Sequence, residues 1–339
     1  MKLKIDGDYY NYFSGLFVNL KLDSIASLFT FNVRFNPNNK THQKLFKPLS
    51  YKIVQLYNDS GEVIFTGTIL VHKFNSDETP ELLSLSGYST PGILEDVTVP
   101  VENYPLESIN RSLKDIATRL LGLFNIKLII DKSASTVANV VYKKSVASPT
   151  DSIKAYLSKL TSQRNLVLSH TAKGEIIIYK PETAQPVYFF NSGNCTKMVF
   201  DVNGQMMHSK ISVIRQPSED NSGVATADTI LNPLIPLFRP KTKVLSSGED
   251  TDVKNAADNE LANELKAINL SITLDRIEET ILPGTVVEVL NPEIFIFKKT
   301  KFMVIDVIYK GDPNSETSDI KLVLPETFTS KVPSKIFDV

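Results

Sequence analysis

One cysteine, Cys195, is all the thiol the sequence contains, so no internal disulfide can form and the fold does not depend on an oxidising compartment. Glycine is sparse as well: 14 among 339 residues, scattered at turn-like positions. A phosphate cradle needs clustered glycines so that several backbone N–H groups converge. Neither Gly-x-x-x-x-Gly-Lys-Ser/Thr nor Gly-x-Gly-x-x-Gly occurs, which argues against nucleotide chemistry. Net charge is nearly absent, with 37 basic residues against 38 acidic ones. That balance removes the global field that draws a protein to nucleic acid or to an anionic membrane, so no nucleic-acid recognition is expected. No run of about 18 apolar residues exists, and no membrane span is expected. The segment Met1-Lys2-Leu3-Lys4-Ile5-Asp6-Gly7 lacks the apolar stretch of a signal peptide, so the expectation is synthesis in a cytoplasm without Sec-type export.

What is present is ordinary globular material, 42% hydrophobic and 22% charged. The length suits two or three domains with cores large enough to need no staple. Residues 1 to about 95 read as β-structure. Phe29, Phe31, Val33 and Phe35 alternate with polar residues, which puts four large groups on one strand face. Further strands are expected at Tyr51 to Tyr57, Glu62 to Phe74 and Glu81 to Tyr88. A turn is expected at Asn58-Asp59-Ser60-Gly61, and Gly67 is a candidate bulge or bend. Short strands joined by turns suggest a small barrel or sandwich.

Residues 96–182 read as a compact α+β unit. Leu106, Ile109, Leu113, Ile116, Ala117, Leu120 and Leu121 fall at helical spacing, with Gly122 as the stop. A second helix is expected to start at Ser148-Pro149 and to bury Ile153, Tyr156, Leu157 and Leu160. A hairpin follows, Leu166 to Leu168 and Ile176 to Tyr179 around Lys173-Gly174. Residues 183–339 return to β-structure, with strands at Val187 to Phe190, Lys197 to Val202 and Ser209 to Gln216. An insertion over about 217–268 holds a polar loop and a helix from Thr251 to Ile268. Strands then follow at Leu270 to Leu274, Val286 to Leu290, Phe295 to Phe297, Phe302 to Tyr309 and Ile320 to Leu324. A turn is expected at Pro283-Gly284 and a polar loop from Gly311 to Ser318. The two β-rich ends are candidate structural duplicates. No short tandem repeat occurs.

Catalytic patterns are scarce. His42, His72, His170 and His208 have no paired ligand spacing, and His-Glu-x-x-His and Cys-x-x-Cys are absent. Gly-x-Ser-x-Gly is absent too. Cys195 follows Ser192-Gly193-Asn194 with no histidine or helix start nearby to activate it. The acid pairs Glu278-Glu279, Glu219-Asp220 and Glu249-Asp250 lie in turn-like segments, although a glycosidase places its two acids by fold rather than by adjacency. Lys40, Lys44 and Lys47 around Phe46 come nearest to a nucleic-acid pattern and read better as a solvated loop. Phe29, Phe31, Phe295 and Phe297 read as core or subunit-interface residues before ligand cages. No catalytic, cofactor-binding or metal-ligating residue is nominated, and no cofactor is expected.

The order of these parts resembles the baseplate hub family of Mu-like phages, the late control protein D family, and is similar to the hub part of type VI secretion spike proteins. The C-terminal residues carry most of the likeness: Arg239-Pro240, the helix with Ala256-Ala257, Leu261-Ala262 and Glu264-Leu265, then Leu282-Pro283-Gly284-Thr285-Val286-Val287-Glu288-Val289. Lys301-Phe302-Met303-Val304-Ile305-Asp306-Val307 and Ile320 to Phe328 continue it. Nearer the start, Phe65-Thr66-Gly67-Thr68-Ile69, Leu83 to Thr90 and Leu94-Glu95-Asp96-Val97 resemble the first barrel and its exit. Ser152 to Leu168, with Gln163-Arg164, resembles the middle unit. One departure is Ile281-Leu282, which stands where the family often has a Trp before the Pro-Gly turn; this chain has no Trp.

The resemblance implies an α+β, mainly β fold: two small β-barrel domains, an intervening α+β domain and a helix inserted in the C-terminal half. It implies a non-enzymatic homotrimeric ring that adapts a sixfold tail tube to a threefold central spike, with other baseplate proteins as neighbours. The location implied is the baseplate of a virion tail, assembled in the host bacterial cytoplasm. Two other classes fit the same location, a tail-associated peptidoglycan hydrolase and a tail-tip receptor- or carbohydrate-binding module. Contact segments are expected at Ser218 to Thr229 and in the tail from Thr327 to Val339.

Overall fold

The computed structural model describes residues 1–10, 13–76, 82–182, 184–215, 226–245, 253–312, 314–329, 331–333 and 336–337. Its first part holds β1 (Lys2–Ile5), β2 (Asp8–Tyr10), β3 (Phe13–Lys21), β4 (Leu28–Arg34), a short helix α1 (Lys40–Leu45), β5 (Ile53–Tyr57), β6 (Val63–Phe74) and β7 (Leu82–Ser89). A turn of helix, α2 (Ile93–Asp96), leads to the middle part. That part holds β8 (Glu107–Ser112), α3 (Leu113–Gly122), β9 (Leu128–Ile130), α4 (Lys132–Ala138), β10 (Val141–Val146), α5 (Ile153–Ser162), β11 (Val167–His170) and β12 (Ile176–Tyr179). The last part opens with β13 (Tyr188–Phe190) and β14 (Lys197–Val202). It inserts β15 (Lys210–Arg215), β16 (Thr226–Leu231), β17 (Pro240–Leu245) and α6 (Val253–Leu265). It closes with β18 (Ile268–Leu274), β19 (Val286–Asn291), β20 (Ile296–Asp312), β21 (Ser315–Val323) and α7 (Glu326–Thr329).

The protein is mainly β with an α+β mixture. Both β-rich ends belong to one 13-stranded sheet, whose path of neighbours is open; no closed barrel is found among the described residues. Within that sheet the first part runs β3-β4-β7-β6-β5-β1 and the last part runs β14-β18-β21-β20-β19-β13. The two orders correspond strand for strand. They share a finer mark: the pairing of β6 with β7 slips between Ile69 and Val71, and that of β20 with β21 slips between Val304 and Asp306. Just before each slip the amide of Ile69 reaches Lys52 O at 2.9 Å and that of Val304 reaches Thr285 O at 2.9 Å. One orientation differs, because β1 is antiparallel to β5 whereas β13 is parallel to β19. The parts are joined by β3 and β20, paired antiparallel from Lys21 opposite Asp306 to Leu16 opposite Gly311.

Period-two patterning explains these strands. Phe29, Phe31 and Val33 are buried on one face of β4, as are Leu270, Ile272 and Leu274 on β18, and they share one apolar core. The middle part has its own core, built by Leu113, Ile116, Leu120 and Leu121 of α3 with Ile153, Tyr156, Leu157 and Leu160 of α5.

Several boundaries differ from expectation for local reasons. The helix expected from Leu106 begins only at Leu113. Ser112 caps it, with Asp115 N donating to Ser112 Oγ at 3.2 Å and Ser112 N to Asp115 Oδ2 at 3.2 Å. Residues upstream pair with β10, and Ile109 is 57% exposed rather than on a helix face. The next helix starts at Ser152, whose Oγ accepts from Ala155 N, while Ser148 only closes a turn before it. Gly67 is not the bulge. A Cβ there would stand 2.5 Å from Tyr88 O, so it serves close strand approach, and the slip lies at Leu70. The polar loop expected from Gly311 tightens into a hairpin held by Asp312 Oδ1, which accepts from Asn314 N at 2.7 Å and Ser315 N at 3.0 Å. The strand expected at Phe295 starts at Ile296, because Phe295 takes a left-handed conformation after Pro292–Ile294.

Candidate assembly surfaces and the joint between the parts

The link between β3 and β4, Leu22 to Ser27, touches all three parts. Leu22 N donates to Ile305 O at 2.9 Å, and Leu22 packs with Val286, Met303 and Phe328 of the last part. Ile25 is fully buried in the core of the middle part. Ser89 Oγ donates to the Ile25 carbonyl at 2.7 Å and itself accepts from Ser27 N at 3.0 Å. The Ser24 carbonyl lies 2.8 Å from His170 Nδ1, and Lys266 Nζ lies 2.9 Å from Asp23. The buried groups of Ser27 and Ser89 fix relative placement, since misplacement leaves them unpaired, whereas the Lys266–Asp23 pair lies at the surface. Beside this joint a cleft of about 400 Å³ is lined by Leu20, Phe65, His170, Tyr179 and Gly284 among others. Burial lowers the His170 imidazole below its ordinary value, with the Ser24 carbonyl pulling the other way, and raises the Tyr179 phenol. No sequence signal singles out this link, because Ser24, Ala26 and Ser27 follow no periodicity.

The inserted sheet, in the order β16-β15-β17, is pinned to α6 by buried Glu264. Its carboxylate accepts from His208 N at 2.8 Å and Lys241 Nζ at 3.0 Å, with His208 Nδ1 at 2.8 Å. Glu260 pairs with Lys241 and Lys243 on the same face of α6.

The residues weighed for chemistry are dispersed. His42 Nδ1 accepts from Asn36 N at 3.1 Å, and His72 lies on β6, so the four histidines occupy four separate places. Among the described residues no group of three or more His, Cys, Asp or Glu could hold a metal ion. The Cys195 thiol lies 3.5 Å from Asn191 O, and burial raises its pKa, the opposite of activation. Glu278 is engaged by Arg276 and Thr280, and Glu279 accepts from Asp59 N at 3.0 Å. Glu219-Asp220 and Glu249-Asp250 lie outside the described residues. Phe46 is buried and packs on Tyr10, so it offers no exposed ring to Lys40, Lys44 and Lys47. No described helix is long and apolar enough to cross a membrane.

Exposed apolar side chains occur on all three parts, and some lie on strands of the large sheet and on the insertion. On β6 and β7 they are Val71 (55% exposed), Phe74 and Leu82; on β14, Val199 and Val202. Leu237 and Phe238 (78% exposed) stand on the inserted unit. Phe295 and Phe297 meet edge to face at 5.2 Å and are half exposed, whereas Phe29 and Phe31 are core. Of the expected contact segments, residues 218–225 lie outside the described residues and Thr226 to Thr229 form part of β16. The tail begins with buried Thr327, Phe328 and Thr329, which are core rather than contact surface.

No family model matches the chain, and no curated protein matches it. Solved structures do. A 43 kDa tail protein of prophage MuSo2 from Shewanella oneidensis superposes with a TM-score of 0.79 at 17% identity, covering 96% of this chain and 99% of that one. A tail protein from Neisseria meningitidis gives 0.77 at 17% identity, with 98% of each chain covered. An Escherichia coli component of the type VI secretion system, itself described as similar to the T4 tail proteins gp27 and gp5, gives 0.58 at 10% identity, covering 99% of this chain and 80% of that one. The chain has the fold of these tail and secretion proteins along nearly its whole length.

Proposed function

We propose that this chain is a structural baseplate hub subunit of a contractile phage tail or a related injection machine, of the late control protein D kind. Three copies form a ring that adapts a sixfold tail tube to a threefold central spike. The observation that carries this is one strand plan used twice in a single chain, within a fold shared with phage tail proteins. Three chains with two like modules each present six like faces to the tube while keeping threefold symmetry toward the spike.

The units are a first barrel over 1–95, an α+β unit over 96–182 and a second barrel over 183–339. The insertion over about 217–268 extends back to take in β15. Barrel closure is supported by the chain itself: β2 and β3 are consecutive yet stand at opposite ends of the first part's strand path, and so do β13 and β14 in the last part. Partners are the tail tube protein, the spike and other baseplate proteins, and the place is the virion tail, after assembly in the host cytoplasm. The work is mechanical, through permanent interfaces on the order of 2,000 Å² or more. Co-expression with the neighbouring tube and spike proteins, followed by light scattering, tests it. A complex holding three copies of this chain with both partners is expected. A monomer in the presence of the spike contradicts it, as does peptidoglycan clearing that Glu278→Gln abolishes.

A further inference from the structure

The shared strand plan has a seam in the last part that is filled and one in the first part that is not. On β20 the neighbour β19 ends its pairing with Met303, and β3 takes over the same edge from Asp306 onward. On β6 the neighbour β5 likewise ends its ladder at Thr68, but no described strand takes over the edge from Val71 to Phe74. Conversely β14, the counterpart of β3, has β18 on one side and no described strand on the other. The chain therefore presents both halves of a seam it has already made once within itself. Within one chain six strands, β18, β21, β20, β3, β4 and β7, lie between β14 and β6, and no described pairing joins the two.

The pairings give a register. Ile69 faces Gly87, which faces Phe29, which faces Val18. The matching row runs from Val304 through Leu322 and Leu270 to Phe200, so Phe200 is the counterpart of Val18. In the filled seam Val18 faces Tyr309, Asn19 faces Ile308 and Leu20 faces Val307. Phe74 lies as far beyond Ile69 as Tyr309 beyond Val304. We propose that β14 of a second copy of this chain pairs antiparallel with Val71 to Phe74 of β6. Phe74 then faces Phe200 of the partner subunit, Lys73 faces Asp201 of the partner subunit, and His72 faces Val202 of the partner subunit.

The chemistry of the two edges agrees with this occupant. Lys73 and Asp201 are both exposed and of opposite charge, a cross-strand pair that favours this register over its neighbours. Val71 (55%), Phe74 (43%), Val199 (46%) and Val202 (41%) are exposed, while Val307 and Tyr309 in the filled seam are fully buried. An unpaired apolar edge is a liability that partner pairing removes. The contact is head-to-tail, so it generates a ring when the rotation closes. It rests on the proposed ring for the number of copies, but not for the identity of the edges.

The test is a double-cysteine variant, Lys73→Cys with Asp201→Cys in a Cys195→Ser background, oxidised and run on denaturing non-reducing gels. Directly opposite residues place their Cβ atoms about 4.5–5.5 Å apart, near disulfide reach. More than half of the chains are expected in cross-linked species that end in one closed oligomer. Either single-cysteine variant should give none, and so should Lys73→Cys with Lys197→Cys, which lies about 13 Å away along the strand. Both positions are exposed, and circular dichroism confirms the fold. A ring by light scattering with no cross-link at 73 and 201 overturns the edge assignment and leaves the hub reading standing. A folded protein that stays monomeric at high concentration with the spike protein present and gives no cross-link overturns both.

Discussion

The first and last β-rich parts follow one plan with different fillings. In the first, the row through Ile69 places Gly87 beside Phe29; in the last, the same row places Leu322 beside Leu270. Gly87 makes room for the Phe29 ring, where Leu322 and Leu270 are two buried residues of middle size, so one plan holds different fillings and is not visible in residue identity. The difference also shows what topology preserves. Strand order and the positions of the slips agree, while the loops diverge: the short link from β3 to β4 corresponds to the entire insertion between β14 and β18.

The largest expected effect comes from forcing one filling onto the other. A Cβ at Gly87 would stand 1.9 Å from Thr68 O and 3.0 Å from the Phe29 ring. Gly87→Ala is expected to cost on the order of 3 kcal/mol by overpacking. Leu322→Ala, at the matching point, is expected to cost about as much by leaving a cavity. Urea unfolding checks both, and a silent change at either position would show that its row is not tightly packed.

A smaller effect sharpens the contrast between the two parts and the joint that holds them. His170 has its folded-state pKa lowered from the ordinary 6.5, chiefly by burial. The unfolded chain then binds the proton more tightly, so stability is full above about 6.5 and falls as pH drops toward the folded value. Histidine 72, lowered the same way, adds to the fall. His170→Asn keeps a donor for the Ser24 carbonyl and removes one titration. Melting temperatures at pH 7 should change little, and the loss between pH 7 and 5 should shrink. An unchanged pH profile would show that His170 is not held neutral at the joint.

The smallest effect lies in the filled seam. Asp306 faces Lys21, yet burial raises its carboxyl pKa despite nearby Lys21 and Lys321, and Oδ1 has no hydrogen-bond partner. A raised folded-state value means the carboxylate weakens the fold as pH rises past the unfolded 3.8. Asp306→Asn is expected to be neutral or stabilising by less than about 1 kcal/mol at pH 7. A clear loss in thermal melts would mean that the charge itself holds β3 to β20.

Much of the secondary structure was legible in the sequence. Alternation at Phe29, Phe31 and Val33 located β4, and helical spacing located the buried faces of α3 and α5. Caps decided the starts, and there spacing misled: Leu106 and Ile109 matched a helix by period, but Ser112 and Asp115 set its true first turn. The short elements α4 and β10 escaped because Lys132 to Val146 lacks a sustained period. The joint and the two free edges could not be read from residues, since they depend on which strands lie side by side. Lys73 and Asp201 are far apart in sequence, and their complementarity appears only once the filled seam supplies the register.

The claim that one plan is used twice to build a ring is tested most directly by electron microscopy of the purified assembly, with its mass measured in parallel. An annulus with a central opening whose lobes number twice its chains is expected, six lobes for three subunits. An annulus with one lobe per chain, or no annulus at any concentration with the spike present, would contradict it.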